Sequence, residues 1–264
     1  MLTEAKNNLK FILLSMKYNV QRQMTNSTSF IMNVILMIAN NVSMIIQWLV
    51  YFSLSNNFNG HTFKQQMLVI ALCCFSYGLT FLFFAGVNNI STYIEIGGLD
   101  KYLVKPKSVL ISVMTSETRI SALGDLIFSL IIIFIYYHKP SQILLFLFLG
   151  ILSFIIEITF LIIINSITFW FIRFSDTIDT AIGSYNTFST YPSTIFNKAI
   201  KILMFTIIPI GFAIYLPTSL FSDFNICKLL IVISFTIFNV LFARFLFYKG
   251  LKRYTSSNMA VINV

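Results

Sequence analysis

Charged residues are scarce in this chain, because Asp, Glu, Lys and Arg together make up only 10% of its 264 residues. Soluble proteins contain about a quarter of such residues, so the scarcity excludes an ordinary water-soluble domain. Hydrophobic residues, including 29 phenylalanines, make up 57% of the chain and cluster in runs long enough to cross a membrane. We therefore predict one integral membrane domain that covers residues 1–264.

Residues that build metal and catalytic sites are also rare. The two histidines, His61 and His138, lie in different predicted loops, and the three cysteines have no CxxC spacing. This excludes HExxH metal hydrolysis and gives no disulfide framework. The chain contains neither a Gly-x-x-x-x-Gly-Lys-Ser/Thr phosphate loop nor a Gly-x-Ser-x-Gly elbow. We predict that the chain is not an enzyme and that it holds no cofactor.

Apolar segments near the length of a membrane span recur six times along the chain. A spanning helix needs about 20 residues, and the candidates are residues 30–52, 67–87, 123–137, 143–171, 202–221 and 229–247. The third is short, so we expect it to begin earlier, and the fourth is long enough to tilt. The predicted fold class is an all-α membrane protein with six transmembrane helices.

The basic residues are distributed unevenly between the two predicted membrane faces. The formal net charge is +9, and fourteen of the 18 Lys and Arg residues fall on the face with both termini, against three on the other. The positive-inside rule makes the richer face cytoplasmic. Topology thus accounts for the charge, and we expect no nucleic-acid partner. Two longer connections, residues 88–122 and 172–201, are predicted to be cytoplasmic.

The first 27 residues have a helical pattern of apolar and polar positions. The two stripes are Leu9, Leu13, Met16 and Val20 against Lys6, Lys10, Lys17 and Gln21. This pattern predicts an amphipathic helix that lies in the membrane interface, and a solvated leader is the alternative. Residues 248–264 are predicted to form a cytoplasmic tail.

Acidic residues within the predicted spans are few. Glu157 lies near the middle of the fourth span, where an unpaired charge costs at least about 2.5 kcal/mol. It either lines a substrate path or bonds to a neighbouring helix as a structural contact. Asp125, at the start of the third span, is expected to cap its helix. Asp176 and Asp179 are expected to lie on a solvated helix face.

The fifth span contains two prolines eight residues apart, Pro209 and Pro217. Each removes a backbone donor and clashes with the preceding turn, so a straight helix is not expected here. The pattern predicts a broken span with a re-entrant outer turn, and a kinked helix is the alternative.

Several separated motifs make the chain similar to the ABC-2 type permeases, in particular to a six-span subfamily of uncharacterised ABC transport permease components. They are Gly98-Leu99-Asp100 with Tyr102-Leu103 and Lys105-Pro106, Phe169-Trp170, Tyr191-Pro192 with Ile195-Phe196, Pro209 with Tyr215-Leu216-Pro217, and Gly250-Leu251-Lys252-Arg253-Tyr254 with Ser256. Family members often have an acid after the last tyrosine, where this chain has Thr255.

This resemblance implies a fold like that of type V exporters and a permease subunit in the plasma membrane, which we expect to be bacterial. It would move a hydrophobic or amphipathic drug, peptide or lipid-like molecule outward. Its partners would be two copies of a separate ABC ATPase, which binds the ATP, a second copy or related permease, and membrane lipids.

The resemblance also implies roles for two groups of residues. Residues 97–106, GGLDKYLVKP, would contain a coupling helix within the connector 88–122, entered through glycine and left through proline. The coupling residues would be Gly98, Leu99, Asp100, Tyr102, Lys105 and Pro106. The translocation path would contain Glu157, Pro209, Tyr215 and Pro217. An interfacial loop whose lysines contact anionic lipid is the alternative for the connector.

Two other functional classes remain open from the sequence. One is a secondary carrier or channel that uses an ion gradient, with Glu157 as its titrating group. The other is a membrane subunit without transport activity, such as an immunity or assembly factor. The absence of a detectable internal repeat weighs against the carrier.

Overall fold

The computed structural model describes residues 2–25, 27–54, 60–171 and 173–255, and all regular structure in them is helical. The α-helices are α1 Leu2–Met24, α2 Ser27–Leu54, α3 Phe63–Phe84, α4 Ile90–Glu95, α5 Asp100–Leu103, α6 Val109–Met114, α7 Ala122–Tyr136, α8 Pro140–Ser166, α9 Ser175–Ser189, α10 Lys198–Thr206, α11 Leu216–Ser222 and α12 Ile226–Leu251. Short 3₁₀ segments are Ala85–Asn89, Ile167–Phe169 and Ser193–Ile195, and Gly211–Tyr215 is a π-helix. The predicted all-α class is confirmed in these residues, whereas residues 256–264 of the predicted tail, with Ser256, lie outside them.

Four helices of the described residues are long and apolar enough to cross a membrane: Ile31–Leu54, Phe63–Glu95, Pro140–Phe169 and Ile226–Leu251. A bent pair, Lys198–Thr206 and Gly211–Ser222, would add a fifth if it is counted as one span. Helix α7 has 15 residues, or about 22 Å, which is shorter than the hydrocarbon core. It begins at Ala122, one residue before the predicted start, so the third span is as short as the sequence indicated.

One end of the helical bundle, which we call the connector end, contains α4, α5 and α6. The backbone amide of Ser91 donates to Oδ1 of Asn165, near the end of α8, at 3.2 Å. The hydroxyls of Ser108 and Tyr248, near the end of α12, lie 2.7 Å apart. Helix α1, predicted to be interfacial, lies against this end, where Nδ2 of Asn19 donates to a backbone carbonyl at 3.0 Å.

The opposite end, which we call the far end, joins α2 to α3 and α11 to α12. Nε2 of Gln65, in the first turn of α3, donates to Oγ of Ser222 at the end of α11, at 3.3 Å. The rings of Tyr137, after α7, and Phe221 pack edge-on with centroids 5.3 Å apart. Helices α3, α7, α8 and α12 each run between these two ends.

Helix α9 also runs from the connector end to the far end. At its start the amide of Ser175 donates to the carboxylate of Glu95 at 2.9 Å. Beyond its last residue the carbonyl of Thr190 accepts from Nε2 of Gln66, near the start of α3, at 2.7 Å. The sequence predicted one connection on a single face for residues 172–201, whereas α9 reaches from one end of the bundle to the other. One face of α9 packs against protein, whereas Asp176 and Asp179 lie exposed on its other face, as the sequence predicted.

The predicted proline break occurs at Pro209 only. Pro209 lies between α10 and the π-helix, and the two flanking helices meet at 88°. Pro217 lies in the first turn of α11, where a missing backbone donor is tolerated, and the helix continues through it. Oγ of Ser153 in α8 donates to the carbonyl of Ala213, which satisfies one acceptor of this irregular segment.

Cross-linking tests the path of α9. In a chain with its native cysteines replaced by serine, we expect Gln66→Cys and Thr190→Cys to be joined by a short bifunctional maleimide. The two halves of the chain would then stay together after cleavage at a protease site introduced at Lys139. Cysteines at Gln66 and Thr177 form the matched control, because Thr177 lies about 20 Å away along α9. Joining of the control pair alone would contradict this path.

Candidate functional site

A cavity of about 490 Å³ lies between α2, α3, α7, α8 and α9. This volume is within the usual range of ligand pockets, about 300–1,000 Å³. The lining residues from α2, α3 and the start of α7 are Met37, Asn40, Asn41, Met44, Gln47, Trp48, Cys73, Cys74, Ser76, Tyr77 and Asp125. The others are Glu157, Tyr185, Asn186, Thr187, Ser189, Thr190, Tyr191 and Ile214.

Two carboxyl groups from different helices meet in this cavity. Glu157 and Asp125 both line it, and each residue is only 2% exposed. Nδ2 of Asn41 donates to Oδ1 of Asp125 at 3.1 Å, whereas Oδ2 of Asp125 has no hydrogen-bond partner. The Ser76 hydroxyl lies within hydrogen-bonding reach of the Glu157 carboxyl. The predicted cap role of Asp125 is wrong, because its carboxyl is turned toward α2 and makes no bond to the first turn of α7.

The cavity wall is otherwise aromatic and amide-rich. Rings of Trp48, Tyr77, Tyr185 and Tyr191 line it, and its lining residues include no lysine or arginine. The guanidinium carbon of Arg119 lies 4.9 Å from the ring centre of a neighbouring phenylalanine, and the group is within hydrogen-bonding reach of the Tyr77 hydroxyl without lining the cavity itself. The charge of the wall is therefore set by its two acids.

The predicted path residues are only partly brought together. Glu157 lines the cavity, but Pro209, Tyr215 and Pro217 are not among its lining residues. The Tyr215 hydroxyl instead donates toward the carbonyl of Tyr191, at 3.2 Å, beneath the end of α9. Tyr215 thus contacts a residue that lines the cavity without lining the cavity itself.

The connector is built on a tight turn. Helix α4 ends at Glu95, and the amide of Gly98 donates back to the carbonyl of Tyr93 at 2.8 Å. Gly97 has a φ of +72°, which glycine adopts without strain. The following helix α5 is a single turn, Asp100–Leu103.

The predicted coupling residues divide into buried and exposed groups around α5. Leu99 and Tyr102 are buried, and burial raises the pKa of the Tyr102 hydroxyl to about 12. The ammonium groups of Lys101 and Lys105 lie 5.0 and 4.8 Å from the centre of the Tyr102 ring. The exposed coupling residues are Asp100, Lys105 and Pro106.

The exposed face of the connector also includes two apolar residues that were not predicted. Val104 is 85% exposed and Leu103 is 46% exposed. We call Asp100, Leu103, Val104, Lys105 and Pro106 the connector tip. Exposed apolar side chains on a charged segment are typical of a surface that contacts another protein.

The last motif of the chain packs against the connector. The Tyr254 hydroxyl lies beside the carboxylate of Asp100, and burial together with that carboxylate raises the pKa of Tyr254 to about 12. The motif after α12 therefore holds the base of the connector tip.

Glu95 joins the connector to α9, and no sequence pattern pointed to it. Its Oε1 accepts the backbone amides of Phe174 at 2.7 Å and Ser175 at 2.9 Å, and its Oε2 accepts the Ser175 hydroxyl at 2.8 Å. The first amides of a helix have no partner within the helix, and a carboxylate also favours the positive end of its dipole. The only local signal was an acid placed directly before the Gly97 turn.

Comparison with known proteins decides the family. The sequence profile of ABC-2 family transporter proteins matches residues 30–258. The chain belongs to this family. It is a multi-pass membrane component of an ABC transporter, and permeases of the family normally work with an ABC ATPase. No curated protein and no solved structure matched the chain.

Removal of the Glu95 carboxylate tests its capping role. We expect Glu95→Ala to destabilise the permease by about 1–3 kcal/mol, because two backbone amides and a hydroxyl lose a charged acceptor. The midpoint of thermal unfolding in detergent would fall accordingly. The matched control is Asp176→Ala, an exposed acid in the first turn of the same helix, which should cost less. Equal midpoints for the two variants would count against the cap.

Proposed function

We propose that the chain is the transmembrane permease subunit of an ATP-driven exporter, working with two copies of a separate ABC ATPase that binds the ATP. It would move a hydrophobic or amphipathic molecule outward across the plasma membrane, and we expect a bacterial source. The observation that supports this most directly is the Glu95 contact. It connects an exposed connector tip to a helix that lines a cavity among the spans.

The topology that we propose has six crossings: α2, α3, α7, α8, α9 and α12. Helices α10 and α11 then form a re-entrant segment on the far side, rather than the fifth span. With α9 as a crossing, basic residues are divided twelve to five between the connector side and the far side, with Arg244 inside α12. The positive-inside rule therefore still makes the connector side, with both termini, cytoplasmic.

The connector tip is suited to entering a cleft of the ATPase. Val104 and Leu103 present apolar surface, flanked by Asp100 and Lys105, which would pair with charges at the rim of the cleft. Leu99 and Tyr102 are buried and do not contact the partner in this proposal. They anchor the tip to the bundle, and Gly98 and Pro106 shape the turns on either side.

Movement would pass from the tip to the cavity through short contacts. A displaced tip pulls on α4 through the bond from Gly98 to Tyr93, and α4 acts on α9 through Glu95. The far half of α9 forms one wall of the cavity, opposite Asp125 and Glu157. A shift of α9 would therefore change the width of the cavity where a substrate binds.

Helix α2 leaves most of its apolar surface exposed in the single chain. In our proposal a second permease copy and membrane lipids cover this surface. The alternative of an ion-driven carrier with Glu157 as titrating group loses support, because the family match covers nearly the whole chain. The same match weighs against a subunit without transport activity.

Recovery of the partner tests the docking surface. We expect an ABC ATPase to be recovered with the wild-type permease from solubilised membranes of the native cell. Val104→Glu should reduce that recovery at least about tenfold, because a charge would be buried in an apolar contact. The control is Lys252→Glu, which adds an acid elsewhere on the connector side. Undiminished recovery with Val104→Glu would contradict the assignment of the tip.

A further inference from the structure

The cavity described above contains an acid without a partner. Oδ1 of Asp125 accepts from Asn41, but Oδ2 accepts no hydrogen bond. Only 2% of the surface of this residue is exposed. A buried carboxylate oxygen without a partner is costly, so it is retained where a ligand or function supplies the partner. The carboxyl of Glu157 lines the same cavity.

The sign of charge decides which ligands this cavity accepts. Two acids line the wall and no basic residue does; the Arg119 guanidinium packs on the Phe81 ring and reaches the Tyr77 hydroxyl at the margin of the cavity. An anionic ligand would lose its hydration and meet like charge, which is unfavourable in a partly buried site. A cationic ligand would instead provide the missing partner of Asp125.

The remaining wall distinguishes an organic cation from a metal ion. No group of three or more His, Cys, Asp or Glu residues suited to a metal occurs in the described residues. The rings of Trp48, Tyr77, Tyr185 and Tyr191 supply apolar surface and electron-rich faces, which attract quaternary or delocalised cations. The volume of about 490 Å³ also suits a small organic molecule better than a single ion.

We propose that this cavity binds an amphipathic organic cation, with its charged group paired to Asp125, Glu157 as the second carboxyl, and its apolar part among the four rings. This inference rests on the proposed function for its biological meaning, because it names the substrate class of the same site. Asn41 acts as a positioning residue, since it holds Oδ1 and leaves Oδ2 without a donor from the protein.

Equilibrium binding to the purified full-length permease in detergent tests the proposal. The probe is tetraphenylphosphonium, and its comparison is tetraphenylborate, an anion of nearly the same shape. We expect saturable binding of the cation and no saturable binding of the anion. Saturable binding of both with similar affinity would overturn the proposal, and this comparison needs no variant that could fail to fold.

A matched pair of variants locates the site. Asp125→Asn keeps the shape of the side chain and should weaken binding of the cation at least about tenfold, whereas the exposed Asp176→Asn should leave it unchanged. Quenching of Trp48 fluorescence by the bound cation, in a Trp170→Phe chain, provides a second readout. Undiminished binding by a folded Asp125→Asn chain would overturn the assignment.

The experiment separates this inference from the proposed function. Binding is measured without the ATPase, so loss of ATPase recovery would remove the proposed function and leave the cation site intact. Conversely, a permease that recovers its ATPase but binds both probes equally would retain its proposed function and lose this substrate class.

Discussion

The carboxylate of Glu95 closes the first turn of α9, and the position of that helix depends on this contact. Without it, the amides of Phe174 and Ser175 would lose their acceptor at the connector end. A short helix among membrane spans has little apolar surface of its own to hold it. Its ends must therefore be fixed by hydrogen bonds from neighbouring helices.

The far end of α9 is held in a corresponding way. The carbonyls there accept from side chains of other segments: Cys73 donates to Ser189 at 3.0 Å, Gln66 to Thr190, and Tyr215 to Tyr191. Helix α9 is thus connected to α4 at one end and to α3 and the bent segment that contains Tyr215 at the other. The same helix forms a wall of the cavity, so in the proposed function a change in the connector would reach the place where a substrate binds.

Much of the bundle was predictable because lipid-facing helices must be apolar along their whole length. Helices α2, α8 and α12 satisfy that demand, and α3 is equally apolar although most of it is buried. All four were predicted with boundaries close to those observed. Helix α9 was missed because its 15 residues include aspartate, asparagine, serine and threonine side chains, which suggest a solvated surface. One face of α9, with Ile178, Ile182 and Tyr185, is buried, whereas its aspartates are exposed, and hydropathy along the chain does not report such one-sided burial.

The candidate site, too, could be predicted from the sequence only in part. Glu157 was recognised because a charge in the middle of a span is costly, but the same reasoning assigned Asp125 to a helix end. Their meeting depends on how α7 and α8 pack, which no sequence spacing encodes. Among the coupling residues, the turn glycines followed from the sequence, whereas the burial of Leu99 and Tyr102 and the exposure of Val104 required the fold.

In the proposed function, Glu95 transmits movement of the connector to the cavity wall. The direct measurement is the distance between spin labels at Gln47 on α2 and Thr187 on α9, across the cavity, in the assembled transporter with and without ATP. We expect this distance to change with nucleotide in the wild type and to stay constant in Glu95→Ala, although ATP is still hydrolysed. The same nucleotide-dependent change in Glu95→Ala would contradict this role of Glu95.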